Sequence, residues 1–204
     1  MSASYRTSFS GLSEKYGDMF VSPGDLTSLY DENRLRRLAS SVSLLEEAVE
    51  WEDILLVPAP PSPIGNIGIY RMFPELFSNL PEEWGKEMVT GPDPCLYRDQ
   101  TSDSLWYLFR VPKESYAIPY EDQKGLRHNP ETVPNLAEVL WMLEIFARAG
   151  KDFPVEVGHI LRTSSRSSDG GVLSVLRWDN HLVVSDYLGC DADTKAALPF
   201  LKSV

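Results

Sequence analysis

The sequence predicts an α+β fold: an N-terminal helical part, then a mainly antiparallel sheet of five or six strands with one long helix packed on it. Three observations carry this. Leu35, Leu38, Val42, Leu45 and Val49 recur at steps of three and four, the spacing of one helical stripe. The run from Leu105 to Val111 is apolar on both alternating faces, as a central strand covered on both sides would be. Short β-type runs joined by turn residues then fill the last third of the chain. A chain of 204 residues is one domain's worth. We divide it into a loosely held arm over 1–24 and a single α+β domain over 25–204, helical to about 90 and sheet-forming from 91 onward.

In chain order, the arm is Ser-rich and interrupted by Gly11 and Gly17, with Tyr5, Phe9, Tyr16 and Phe20 available to pin it. Asp31 suits the N-cap of the first strong helix, and Glu32 suits its first turn. Arg34, Arg36 and Arg37 fall early in that helix, where the dipole disfavours cations, so packing must hold it and the charges must answer something outside it. Asp53–Val57 reads as a short buried strand, stopped by Pro58, Pro60, Pro61 and Pro63. Residues 58–69 are expected to form a surface loop, and 70–89 short helical pieces broken at Pro74 and near Pro81. Cys95–Arg98 suits a short strand, and Ser115–Tyr120 a neighbour of the central strand, with Pro119 confining it to an edge.

The second strong helix runs from about Pro134 to Ala149. Thr132 or Asn135 caps it, Leu136, Val139, Leu140, Leu143, Phe146 and Ala147 form its buried side, and Gly150 ends it. The runs 157–162, 172–177 and 182–187 form a meander. Asp179-Asn180 suits a tight hairpin turn, which pairs Trp178 with His181, Leu176 with Val183, Ser174 with Ser185 and Val172 with Tyr187. Both faces of that hairpin are mostly apolar, so we expect it covered on both. The tail from Asp191 reads as a helical turn or two before Pro199.

Charge narrows the function. Thirty acidic against nineteen basic side chains leave a net charge of −11. Binding to nucleic acid needs Lys and Arg to displace counterions, and docking on anionic membrane needs the same, so neither partner is expected. No run approaches the length of a membrane span and no signal-peptide pattern opens the chain, which points to a soluble cytoplasmic protein. Cys95 and Cys190 are too few for a disulfide scaffold, and two free thiols are expected.

No motif names a reaction or calls for a metal or cofactor. His128, His159 and His181 have no HxH or HxxxH spacing. Within the meander His159 and His181, with Asp179, form the one catalytic constellation worth naming; the plain reading is structural histidines. The segment 163–171 (TSSRSSDGG) offers Ser164, Ser165, Arg166, Ser167 and Gly170 to an anion. It lacks a P-loop lysine, and the same residues compose any exposed turn. Glu46, Glu47 and Glu50 with Trp51 and Trp84 make an acid-plus-aromatic surface. A solvated acidic face is its plain reading, and a site for a basic protein partner its functional one. The function expected is therefore a non-enzymatic protein-binding or regulatory module. The alternatives are an anion- or small-molecule-binding domain using 163–171, and an enzyme with a site assembled around His159 and His181.

Overall fold

Helices and antiparallel strands both appear in the computed structural model, which describes residues 3–48, 54–74, 99–152, 156, 158–167, 170–178, 181–185 and 196–204. For residues 3–8, 46–48, 178, 181 and 185 the backbone alone is described.

The expected arm is largely a helix, α1 (Ala3–Tyr16). Phe9 and Leu12, one turn apart, are both buried, and the Phe9 ring meets Trp106 edge-on with centroids 6.0 Å apart. A distant indole supplies the apolar surface that the local sequence lacks, so the segment folds onto the body. Two short 3-10 turns, Gly17–Met19 and Pro23–Leu26, lead to α2 (Glu32–Ser40) and α3 (Val42–Ala48). Asp31 caps α2 as its position predicts, its Oδ1 accepting the Arg34 N–H at 2.7 Å. Leu35, Leu38 and Leu45 are buried, so the stripe faces the core. It is interrupted at Ser41, whose hydroxyl donates to the Leu38 carbonyl and accepts the Trp106 indole N–H at 2.8 Å. Val49 lies outside the described residues.

The described strands form two sheets, and this corrects the expected single sheet of five or six. One has the order β1-β2-β7, all antiparallel: β1 (Ile54–Pro58), β2 (Trp106–Arg110) and β7 (Phe200–Ser203). The doubly apolar run is its central strand, as predicted, and Trp106, Tyr107 and Phe109 have no exposed surface. The other has the order β5-β4-β3-β6, with β3 (Ile160–Arg166), β4 (Val172–Trp178) and β5 (His181–Ser185) antiparallel and β6 (Ala196–Ala197) parallel to β3. Only Leu198 and Pro199 separate β6 from β7, so the chain changes sheets at a residue with no backbone N–H for a ladder. Of the helical turn or two expected between Asp191 and Pro199, residues 191–195 lie outside the described residues and Ala196–Ala197 is the strand β6.

The hairpin register is as predicted: Trp178↔His181, Leu176↔Val183 and Ser174↔Ser185. Its Leu173, Val175, Leu182 and Val184 face is buried, while Leu176 and Val183 are only half-buried, so one face is covered more fully than the other. Asp179-Asn180 and Tyr187 lie outside the described residues, as do Cys95–Arg98 and Cys190.

Two further expectations are corrected. Residues 58–69 are not simply a surface loop, since Pro58, Ala59 and Pro60 are buried and α4 (Asn66–Met72) starts within it. The Pro58 carbonyl accepts the Tyr30 O–H and the Trp141 indole N–H, and these bonds pull the proline segment inward. Ser115–Tyr120 is no strand. A 3-10 turn at Lys113–Ser115 precedes it, and Pro119 stands just before α5 (Tyr120–Lys124), where a missing N–H is harmless.

The second long helix is α6 (Leu136–Arg148). It is buried around its whole circumference from Leu136 to Phe146, Glu138 and Glu144 included, because α4, β3, β4 and the Pro23–Leu26 turn all touch it. No helix among the described residues is long and apolar enough to cross a membrane.

Candidate functional site

The polar residues of the interior gather first at the N-terminus of α6. Asn135 and Glu138 form a reciprocal cap: Asn135 Oδ1 accepts the Glu138 N–H, and Glu138 Oε2 accepts the Asn135 N–H, both at 3.0 Å. The other carboxylate oxygen accepts the Ser102 hydroxyl at 2.9 Å and the Ser102 N–H at 3.2 Å. The Tyr107 phenol donates to the Ser102 carbonyl at 2.6 Å. Asp99 accepts the hydroxyl of Ser165, whose oxygen accepts the Leu136 N–H at 2.8 Å. Burial pushes the Glu138 carboxyl above the usual carboxylate range and Asp99 adds to this, while the donors from Asn135 and Ser102 oppose it. Burial likewise pushes the Tyr107 phenol up to about 12.

This arrangement is a clasp. Ser102 and Glu138 lie at the distance of a nucleophile and its base, yet the Ser102 hydroxyl also meets Tyr107 and Ser203, and its own N–H bonds the same carboxylate. The cluster ties residues 99–102 to the start of α6 and to β3. The Asn-x-x-Glu spacing of Asn135 and Glu138 was the one signal of it in the sequence.

Of the segment expected to wrap an anion, Thr163, Ser165 and Ser167 make side-chain hydrogen bonds within the fold. Residues 163–166 belong to β3, so the connection is shorter than predicted. Thr163 donates to the Leu173 carbonyl at 2.7 Å, Ser165 is held as above, and Ser167 and Gly171 close a turn at 2.9 Å. Gly170 stands in that turn at φ +90°, a conformation that suits glycine. Arg166 donates to the Gly170 carbonyl at 3.1 Å and lies over the Tyr120 ring. Ser164 is exposed.

The catalytic candidates are not brought together by the backbone. His159 bonds through its carbonyl to Arg177, whereas His181 pairs with Trp178, and β4 runs between them. The His159 ring lies against Tyr116, tilted at 51° with centroids 5.2 Å apart, and is 3.7 Å from the Glu156 carboxylate. Asp179 lies outside the described residues. Among the described residues no three His, Cys, Asp or Glu side chains converge as metal ligands would. Of the acid-plus-aromatic set, Glu46 and Glu47 belong to α3 with backbone alone described, and Glu50, Trp51 and Trp84 lie outside the described residues.

The cations show a pattern that sequence reading could not supply: most described ones turn toward the protein itself. Arg34, 5% exposed, donates to the carbonyls of Pro60, at 2.9 Å, and Ser104. Its early place in α2 is thereby explained by acceptors outside the helix. Arg162 is fully buried and donates to Gln123 at 3.0 Å. Arg110 pairs with Glu131, Arg148 with Glu144, Lys124 with Glu121 and Lys151 with Asp18. Exposed Glu14, Asp25, Glu114, Asp122 and Asp152 make no ion pair among the described residues.

Two of these acids line an open cleft of ≈ 500 Å³ between α1 and the Pro23–Leu26 turn. Phe9, Ser10, Ser13 and Glu14 form one wall, and Ser22, Gly24 and Asp25 the other. Ser22 Oγ accepts the Gly24 N–H at 3.1 Å, which sets the start of the turn that carries Asp25. No family model, curated protein or solved structure matches the chain.

Proposed function

We propose that this protein is a non-enzymatic binding module whose surface takes a basic protein partner. The observation that carries the reading is the sorting of charge. Arg34, Arg110, Arg148 and Arg162 are directed to the protein's own carbonyl, carboxylate and amide oxygens, while Glu14 on α1 and Asp25 on the Pro23–Leu26 turn face solvent without a described cation. A surface so sorted attracts Lys and Arg and repels phosphate. In this reading Glu46, Glu47 and Glu50, with Trp51 and Trp84, supply the aromatic-bearing part of the contact. The buried polar groups around the start of α6 support the same reading, since their hydrogen bonds are made within the fold and suit holding it together.

Binding of a lysine-rich peptide, followed at rising salt, tests this. Affinity should fall steeply as the Debye length shortens from about 10 Å at 0.1 M to about 3 Å at 1 M. Reversing Glu46, Glu47 and Glu50 to Lys should slow association more than it speeds dissociation. Salt-independent binding, or none at low salt, overturns the proposal.

A further inference from the structure

We infer that the cleft between α1 and the Pro23–Leu26 turn is the seat for a lysine or arginine side chain of the partner. This inference rests on the reading above that the partner is basic, and adds where one of its cations goes.

Concavity is the first ground. A volume of ≈ 500 Å³ falls within the range of ligand-holding clefts and exceeds what one long side chain needs. Its lining is the second. Glu14 stands on one wall and Asp25 on the other, both exposed, and neither forms an ion pair among the described residues. Lys15, next to Glu14 in the chain, lies with its ammonium 5.0 Å from the centre of the Tyr16 ring. The acids are therefore supplied by two separate elements around one hollow.

The floor is the third ground. Phe9, 3% exposed, lines the cleft with its ring edge-on to Trp106, and carbon atoms make up the larger share of the cleft's lining surface. Lysine and arginine carry an apolar stem and a charged head, so a residue of this kind gains by laying methylenes on such a floor with its head among carboxylates. The hydroxyls of Ser10, Ser13 and Ser22 can accept hydrogen bonds from that head, whose N–H groups only donate. A small inorganic cation would leave the apolar floor unused, and an anion would meet two carboxylates and no lining cation.

The test uses hexalysine as the probe and calorimetry on the full chain at low salt. Three variants separate concavity from bulk charge. Glu14→Gln with Asp25→Asn neutralises the cleft. Glu114→Gln with Asp122→Asn removes the same net charge from other elements. Ser13→Trp fills the hollow and leaves the charge intact. The inference expects at least a tenfold loss of affinity for the first and third variants and under twofold for the second. All the neutralised residues are exposed, so the paired comparison stands even if Ser13→Trp disturbs folding. Equal losses in the two neutralised variants overturn the seat and leave the basic partner standing. An absence of hexalysine binding to the unmodified protein overturns both.

Discussion

Arg110 and Glu131 face each other as a two-pronged ion pair, Nε donating to Oε1 at 2.8 Å and Nη2 to Oε2 at 2.6 Å. The Glu131 side chain is 1% exposed and that of Arg110 12%. The same carboxylate accepts the His128 N–H at 2.7 Å, and Arg110 also donates to the Leu126 carbonyl at 2.9 Å. The pair thus fastens the connection after α5 to the end of β2.

Removing one partner leaves a buried charge uncompensated. Glu131→Gln should cost about 3–5 kcal/mol, the usual range for breaking a buried pair. The double replacement Arg110→Met, Glu131→Leu should cost less than the single one, because no charge remains stranded. Equilibrium urea unfolding of the three proteins checks the order; a double variant weaker than Glu131→Gln contradicts it.

The centre of the three-stranded sheet should be the least yielding part of the molecule. Phe109 has no exposed surface and meets Tyr107 edge-on at 5.9 Å. Phe109→Ala is expected to cost roughly 3–5 kcal/mol, as truncating a core aromatic does. Amides of residues 106–110 should exchange slowest of the described strands. Fast exchange through them would contradict the packing described here.

Adjacent serines in β3 should behave differently. Ser165 is 5% exposed and bonds both Asp99 and the Leu136 N–H, while Ser164 is exposed. Ser165→Ala should cost about 1–3 kcal/mol, the penalty for leaving a buried donor or acceptor unmet. Ser164→Ala should stay within about 0.5 kcal/mol. Thermal unfolding of the pair is sufficient to decide.

The Glu138 carboxyl gives stability a definite pH dependence. Burial raises its folded pKa above the ordinary value of 4.5, so the folded state holds the proton more tightly than the unfolded chain does. Its contribution is fully present below 4.5 and is lost as pH rises through the raised folded pKa. Glu138→Gln removes this titration. Relative to that variant, the unmodified protein should therefore gain stability as pH falls from neutrality toward 4.5. A stability difference flat across that window, measured by urea unfolding, would refute the assignment.

Elements with strong local periodicity were legible in advance. The Leu35–Leu38–Leu45 stripe, the Asp31 cap, the doubly apolar β2, the Asn135 start of α6 and the β4–β5 register each depend on residues within a few positions of one another. Charge was legible too, since a sum needs no geometry.

Distant contacts decided the rest. α1 forms against Trp106, nearly a hundred positions away, and the proline segment is drawn inward by Tyr30 and Trp141. The C-terminal strands split between two sheets because β6 pairs with β3 and β7 pairs with β2, a choice between remote partners. Composition cannot show that Asp99 and Leu136 already claim Ser165 within the serine-rich segment. By itself, then, the sequence determined the periodic elements and the excess of acid. Tertiary structure alone decided which cations turn inward and that Glu14 and Asp25 flank one cleft, because such pairings join segments whose separation along the chain carries no local signal.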